Sequence, residues 1–274
     1  EVMAAVVSAM FTVFVKSDIS SQFLSSIILN SWNLESPLKI NFGSTVASES
    51  FLRLTKNICL RLGMKIHSEL SYISIPEMQK VNIKKLKAEV DASSVFTLAC
   101  FALLFGNMKV QPFKNEFGQP DFRFLNLFDE WKINYKIKSD SLELSKQELP
   151  KFVELNIEDC PDLFPVICAV LSFSDGMHKI YGAPNLVSKE SNRIEKTYEL
   201  LNLAGISVTK LGDGLIIQGV SIPAVKKFSF NPDKDHRMAF AAAVFAYAGF
   251  EVELSDEDVV NKSFPQFWKI LGRI

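Results

Sequence analysis

The 274 residues predict an α/β repeat protein in which apolar helices lie inside layers of sheet. Three observations carry this reading. Helices that open on a small or acidic cluster recur at Ser20, Asp91, Asp162 and Asp235, with spacings of 71, 71 and 73 residues. A second set of helix starts, near Ser48, Pro120, Glu190 and Lys262, keeps a period of about 72. Finally, runs such as FTLACFALLF and MAFAAAVFAYA are apolar around most of a helix, which requires cover on every side. A fixed period of this length marks repeated supersecondary units.

Taken along the chain, FTVFVKS and KLKAEV read as strands leading into the first and second of the primary helices. Gly106, Gly176 and Gly249 follow the second, third and fourth and read as left-handed helix stops. Short alternating strands come next: MKVQPF, HKIYGA and EVELS, with PLKINF in the same place in the first copy. The secondary helices end at Leu62-Gly63, Trp131-Lys132, Ala204-Gly205 and Leu271-Gly272. Hairpins follow in three copies, MKIHSELSYISI, INYKIKSDSLEL and ISVTKLGDGLIIQG, the last turning on Gly212-Asp213-Gly214. The fourth copy stops at Ile274 before any hairpin, and the apolar run from Val2 to Val15 resembles nothing in the other copies.

Composition narrows the function classes. Hydrophobic residues at 48% and charged residues at 22% exclude a disordered chain. Thirty basic against 31 acidic residues give a net charge of −1, so there is no footprint for nucleic acid or an anionic membrane. The opening apolar run is too short to span a bilayer and follows Glu1 rather than a basic segment, so no secretory signal is expected. Cys59, Cys100, Cys160 and Cys168 have no zinc or C-x-x-C spacing and are expected as reduced, buried thiols of a cytoplasmic protein. No metal or cofactor is expected. His67 and His178 read as ordinary histidines in strands, and Lys80–Lys87 as a solvated connection.

Chemistry collects at the helix starts, where unpaired N–H groups and the positive dipole end favour anions. Ser20, Ser21 and Gln22 open the first helix, and Asp162 the third. Lys189 and Arg193, four apart with Glu190 and Asn185 close by, read as a cationic helix face, and Asp235-His236-Arg237 and Lys262 add to it. Cations run against the helix dipole at that end, which points to a ligand carrying phosphate or carboxylate groups. A solvated charged face is the alternative reading of Lys189–Arg193 alone.

These residues resemble a family. DCPDLFPV, NLVSKESNR, DKDHRMAFA and NKSFPQF are similar, in order and spacing, to the C-terminal part of 5-enolpyruvylshikimate-3-phosphate synthases, and SSQFLSSIIL and VDASSVF fit earlier signatures of the same family. The related transferase acting on UDP-N-acetylglucosamine is not expected to carry K-E-S-x-R and D-H-R together. The resemblance implies an inside-out α/β barrel fold of the enolpyruvyl transferase type, with two domains each made of three units around a pseudo-threefold axis. Residues 1–88 would be the remaining third unit of the N-terminal domain, and 89–274 a nearly complete C-terminal domain.

The implied reaction transfers the enolpyruvyl group of phosphoenolpyruvate to the 5-hydroxyl of shikimate 3-phosphate and releases phosphate. The resemblance implies that Ser20, Ser21, Gln22, Ser48, Asp162, Asn185 and Lys189 contact shikimate 3-phosphate. Gln22, Arg193, Arg237 and Lys262 would contact phosphoenolpyruvate. Asp162 would accept the hydroxyl proton and Glu190 would protonate the methylene carbon, with His236 as a helper. The partners are therefore small molecules, and the expected state is a monomer. The family's Lys-Ser and N-A-G-T motifs have no counterpart in these residues, and Ser48-Glu49-Ser50-Phe51 stands where the family has S-K-P-Y. The isolated chain is accordingly expected to be inactive, and a non-catalytic relative that binds a phosphorylated ligand is the alternative.

Overall fold

A computed structural model describes residues 10–18, 20–221, 223–224 and 226–272. Most of the opening apolar run, residues 2–9, and the terminal Ile274 lie outside the described residues. The chain divides into two compact units, one running to Ala88 and including Glu116–Pro120, the other comprising Glu89–Asn115 and the chain from Asp121 onward.

In the first unit β1 (Phe11–Val15) leads into α1 (Gln22–Leu29), followed by β2 (Leu38–Phe42), α2 (Glu49–Arg61) and the hairpin β3 (His67–Ser68) and β4 (Tyr72–Ile75). The sheet order is β1-β2-β4-β3, with β1 parallel to β2 and the other pairs antiparallel. Leu24 and Ile28 of α1 and Leu52 and Cys59 of α2 pack with Ile40, Ile73 and Ile75 of the sheet. The two helices thus share one apolar face of a single four-stranded sheet.

The second unit opens with α3 (Ala92–Phe105), β5 (Asn107–Val110), α4 (Phe124–Glu130) and the hairpin β6 (Tyr135–Lys138) and β7 (Ser141–Ser145). Next come β8 (Phe152–Asn156), α5 (Phe164–Leu171), β9 (Gly176–Tyr181), α6 (Arg193–Leu203), β10 (Ser207–Leu211) and β11 (Gly214–Gly219). It ends with β12 (Lys227–Phe230), α7 (His236–Tyr247), β13 (Glu251–Leu254) and the short α8 (Phe267–Ile270). Every residue of α5 is buried, as is α7 from His236 to Phe245. These helices pack on each other and on α3, under separate sheets ordered β5-β7-β6, β10-β11-β9-β8 and β12-β13. Apolar residues all round each helix make such a buried triplet favourable. Among the described residues none of the sheets closes into a barrel.

Several sequence expectations need correction. KLKAEV forms no strand. Of the three glycines read as helix stops, only Gly249 is left-handed, at φ +97°, whereas Gly106 is extended and Gly176 begins β9. Left-handed residues instead close the secondary helices, at Gly63, Lys132, Gly205 and Gly272. Residues 189–192 are a bend and α6 starts only at Arg193, so Lys189 and Arg193 do not share a helix face. Lys262 ends a 3-10 turn, Asp258–Lys262, rather than opening a helix. The four cysteines are free and buried, in line with their spacing. No helix among the described residues is long and apolar enough to cross a membrane.

Candidate active site

Three acids lie one repeat apart at the starts of the buried helices of the second unit. Asp91 is the N-cap of α3 and accepts from Ser94 N over 2.9 Å. Asp235 is the N-cap of α7 and accepts from Arg237 N over 2.9 Å. Asp162 breaks the pattern: it sits in a 3-10 turn, Pro161–Leu163, ahead of α5 and makes no such cap. The Pro165 ring at the start of α5 has no N–H to cap, which loosens the demand on the acid. Its carboxylate is spent on cations instead.

Those cations converge from three segments. Arg193 Nη1 donates to Asp162 Oδ1 over 2.7 Å, Arg237 Nη2 to Oδ2 over 3.3 Å, and Lys189 Nζ lies 3.6 Å from Oδ1. Burial alone would raise the Asp162 pKa, but Arg237, Arg193 and Lys189 outweigh it and hold the carboxyl well below the usual carboxylate range. Arg193 is only 1% exposed and joins three acids. Its Nε reaches Asp235 Oδ2 at 2.8 Å and its Nη2 reaches Glu190 Oε2 at 2.9 Å. Ser191 Oγ adds a 3.0 Å bond to Asp235. An arginine can be buried here because its fork of donors meets carboxylates on each side.

Glu190 faces outward from this knot, and its Oε1 accepts from Lys262 Nζ. Against the penalty of burial, Lys262 and Arg193 lower its pKa to about 2. His236 is 5% exposed and its ring stands edge-on to Phe240 at 5.6 Å. Burial, and then the charge of Arg237, depress its pKa to about 4, so the ring is neutral at physiological pH. Asn185 lies on the 3-10 turn Pro184–Ser188 and is half-buried. The second unit thus brings together Asp162, Lys189, Glu190, Arg193, His236, Arg237 and Lys262.

The remaining predicted residues belong to the first unit. Ser21 is buried at the N-cap of α1, Gln22 is exposed, and Gln22 N donates to Ser20 Oγ over 3.2 Å. Ser48 stands at the N-cap of α2 with a left-handed backbone, φ +54°. The sequence marks Asp235 as a helix start but not as the buried partner of Arg193, and it does not single out Ser191 or Asp121. His178, read as an ordinary histidine, is fully buried in β9 with Nδ1 unbonded.

Chemically, four cations and three carboxylates crowd one end of a helix triplet. Arg193 is locked from beneath, while Lys262 is half exposed and Lys189 and Glu190 are partly so. Such a surface suits a polyanion, with two carboxylates placed separately for proton transfer. Among the described residues, no His, Cys, Asp or Glu group is arranged to hold a metal ion.

The model of one family, EPSP synthase (3-phosphoshikimate 1-carboxyvinyltransferase), matches residues 3–271. The chain belongs to the EPSP synthase family. It is 27% identical over 268 residues to the 3-phosphoshikimate 1-carboxyvinyltransferase of Methanosphaera stadtmanae, covering 95% of this chain and 62% of that protein. The enzyme of that name from Clostridium acetobutylicum is 30% identical over 260 residues, covering 94% and 59%. The chain therefore spans about three fifths of the length of these relatives. The EPSP synthase of Acinetobacter baumannii shares the fold with a TM-score of 0.70 at 19% identity, over 96% of this chain and 62% of that one. The enolpyruvyl transferase NikO from Streptomyces tendae gives 0.69 at 12%, over 96% and 63%.

Proposed function

We propose that the chain takes part in transferring the enolpyruvyl group of phosphoenolpyruvate to the 5-hydroxyl of shikimate 3-phosphate, with release of phosphate. One observation carries the reading: Asp162, alone among three equivalent acids, leaves its helix uncapped and is held ionised among Lys189, Arg193 and Arg237. Asp162 becomes a base for the hydroxyl once its cations turn to the anionic ligands and let its pKa rise, and Lys189, beside it, would meet the shikimate phosphate together with Asn185. Ser20, Ser21, Gln22 and Ser48, in the first unit, keep the ligand roles that the resemblance implies for them. In the second unit, Arg237 and Lys262 bind phosphoenolpyruvate.

Two roles follow from the geometry in modified form. Glu190 is a carboxylate while Lys262 and Arg193 hold it, so it becomes the acid at the methylene carbon only after Lys262 turns to phosphoenolpyruvate and the freed carboxylate takes up a proton from solvent. Arg193 meets the ligand carboxylate only by exchanging Glu190 or Asp162 from its guanidinium. His236, neutral and buried beside them, supports this exchange without carrying charge.

In this reading the fold is the inside-out barrel of the family, built from four units of about 72 residues. Residues 1–88 complete an N-terminal domain and 89–274 form most of the C-terminal one, in a monomeric cytoplasmic protein. Calorimetry of the 274-residue chain with shikimate 3-phosphate, then phosphoenolpyruvate, tests the proposal, alongside a phosphate-release assay. Binding of both ligands that is lost in Asp162→Ala and Arg237→Ala supports it. Binding without turnover is the outcome expected of this chain alone, and failure to bind either ligand would overturn both this reading and its non-catalytic alternative.

A further inference from the structure

Asp121 has no part in the roles assigned above, yet it occupies an unusual position. It lies in the 3-10 turn Pro120–Arg123, one repeat before Arg193, and is 5% exposed. Its Oδ1 is buried without a hydrogen-bond partner, and so is Nε of Arg237. The charges that act on it come from each element around it. They are Asp162 ahead of α5, Arg237 at the start of α7, Asp91 at the cap of α3, and Lys189 in the bend before α6. Cys160 lies close enough for Asp121 to raise its thiol pKa, after burial, to about 12, so the thiol adds no charge.

The four cations of the site already face the carboxylates of Asp162, Glu190 and Asp235, and a further ionised carboxylate would oppose the anions the site is built to receive. A buried acid lacking full hydrogen bonding avoids that conflict by keeping its proton. We propose that Asp121 sets the charge of the site around Asp162: a buried, neutral carboxylic acid whose proton keeps a further negative charge, beyond those of Asp162, Glu190 and Asp235, out of the anion site. The proposal rests on the reading of Asp162 as the group that meets the ligand hydroxyl. Burial, followed by the charge of Asp162, raises the Asp121 pKa to about 7, in keeping with this role. Ionisation of Asp121 above neutrality then opposes anion binding, while Asp162 stays charged throughout.

The test uses the full 274-residue chain without substrate. Aspartate carboxyl carbons are followed by NMR from pH 5 to 9, and sulfate, a dianion over that whole range, serves as the anion probe. One aspartate resonance should titrate near neutrality and vanish in Asp121→Asn. Sulfate affinity of the wild type should fall roughly tenfold from pH 6 to 9, as a like charge appears nearby. Asp121→Asn should lose that fall, and Asp121→Glu should restore it, which a merely structural role would not do. A wild-type chain with no aspartate titrating near neutrality overturns the proposal even if the variants fail to fold. An unchanged fall of affinity in Asp121→Asn overturns it as well. Absence of sulfate binding at every pH counts against the anion site itself, and the carboxyl titration then decides Asp121 on its own.

Discussion

Arg193 Nε donates to Asp235 Oδ2 over 2.8 Å, tying the start of α6 to the start of α7 across 42 positions of chain. Asp235 is fully buried and also accepts from Ser191 Oγ and from the backbone of Arg237. Without Asp235, Arg193 keeps Asp162 and Glu190, but its buried Nε and the Ser191 hydroxyl lose their acceptor, at about 3–5 kcal/mol together. Asp235→Ala is therefore expected to destabilise the chain by that amount, measured by urea denaturation. Asp91→Ala removes a cap and the hydroxyl bonds from Ser93 and Ser94, with no ion pair among the described residues, and should cost about 2 kcal/mol. Equal losses in the two variants would show that the Arg193 knot adds nothing beyond capping.

Lys262 presents the opposite case. Its side chain is half exposed, and its pairing with Glu190 should contribute no more than about 1 kcal/mol to stability. Lys262→Ala is expected to leave the denaturation midpoint nearly unchanged. It should weaken phosphoenolpyruvate binding roughly tenfold, as loss of one charge-assisted contact does. Calorimetry with an unchanged dissociation constant would remove Lys262 from the ligand site.

His236 makes the site sensitive to acid. Its folded pKa, about 4, lies below the value of about 6.5 for a free imidazole, so the unfolded chain binds a proton first as pH falls. Stability is thus lost between those two values and is unaffected above them. From pH 7 to 5 the loss attributable to His236 should be about 2 kcal/mol. His236→Gln, compared with the wild type in urea at both pH values, should remove that difference. A wild type and variant that lose stability in parallel would mean that His236 is charged in the folded chain.

The sequence made the period, the buried helices and the acids and cations at their starts legible, because each rests on local pattern. Asp162, Glu190 and Arg237 could be named from helix-start chemistry and resemblance, but their partners could not. Arg193 looked like an exposed cation one helical turn from Lys189, and it proved to be the most enclosed charge of the site. Nothing local separates a guanidinium that faces solvent from one that faces three carboxylates, since Asp235 and Asp162 lie 42 and 31 positions away. Asp121 was missed for the same reason: its neighbours come from four separate segments.

Glycine shows the same limit in a form that can be measured. Gly176 and Gly249 both follow a buried helix and read alike in sequence, yet the structure needs them for different reasons. At Gly249 the backbone is left-handed, φ +97°, and a Cβ would meet nothing within 4 Å. Gly249→Ala should therefore cost only the conformational strain, about 1–2 kcal/mol. Gly176 pairs with Gly219 where β9 runs beside β11, and a Cβ there would fall 1.6 Å from the carbonyl oxygen of Lys151. That contact is with backbone, so no side chain can swing aside, and β8 must move away from β9. Gly176→Ala is expected to lose more than about 4 kcal/mol, within the exceptional range for a single substitution. Thermal denaturation of the two variants side by side decides the matter, and a Gly176→Ala chain as stable as Gly249→Ala would mean that β8 and β9 separate at that end without cost.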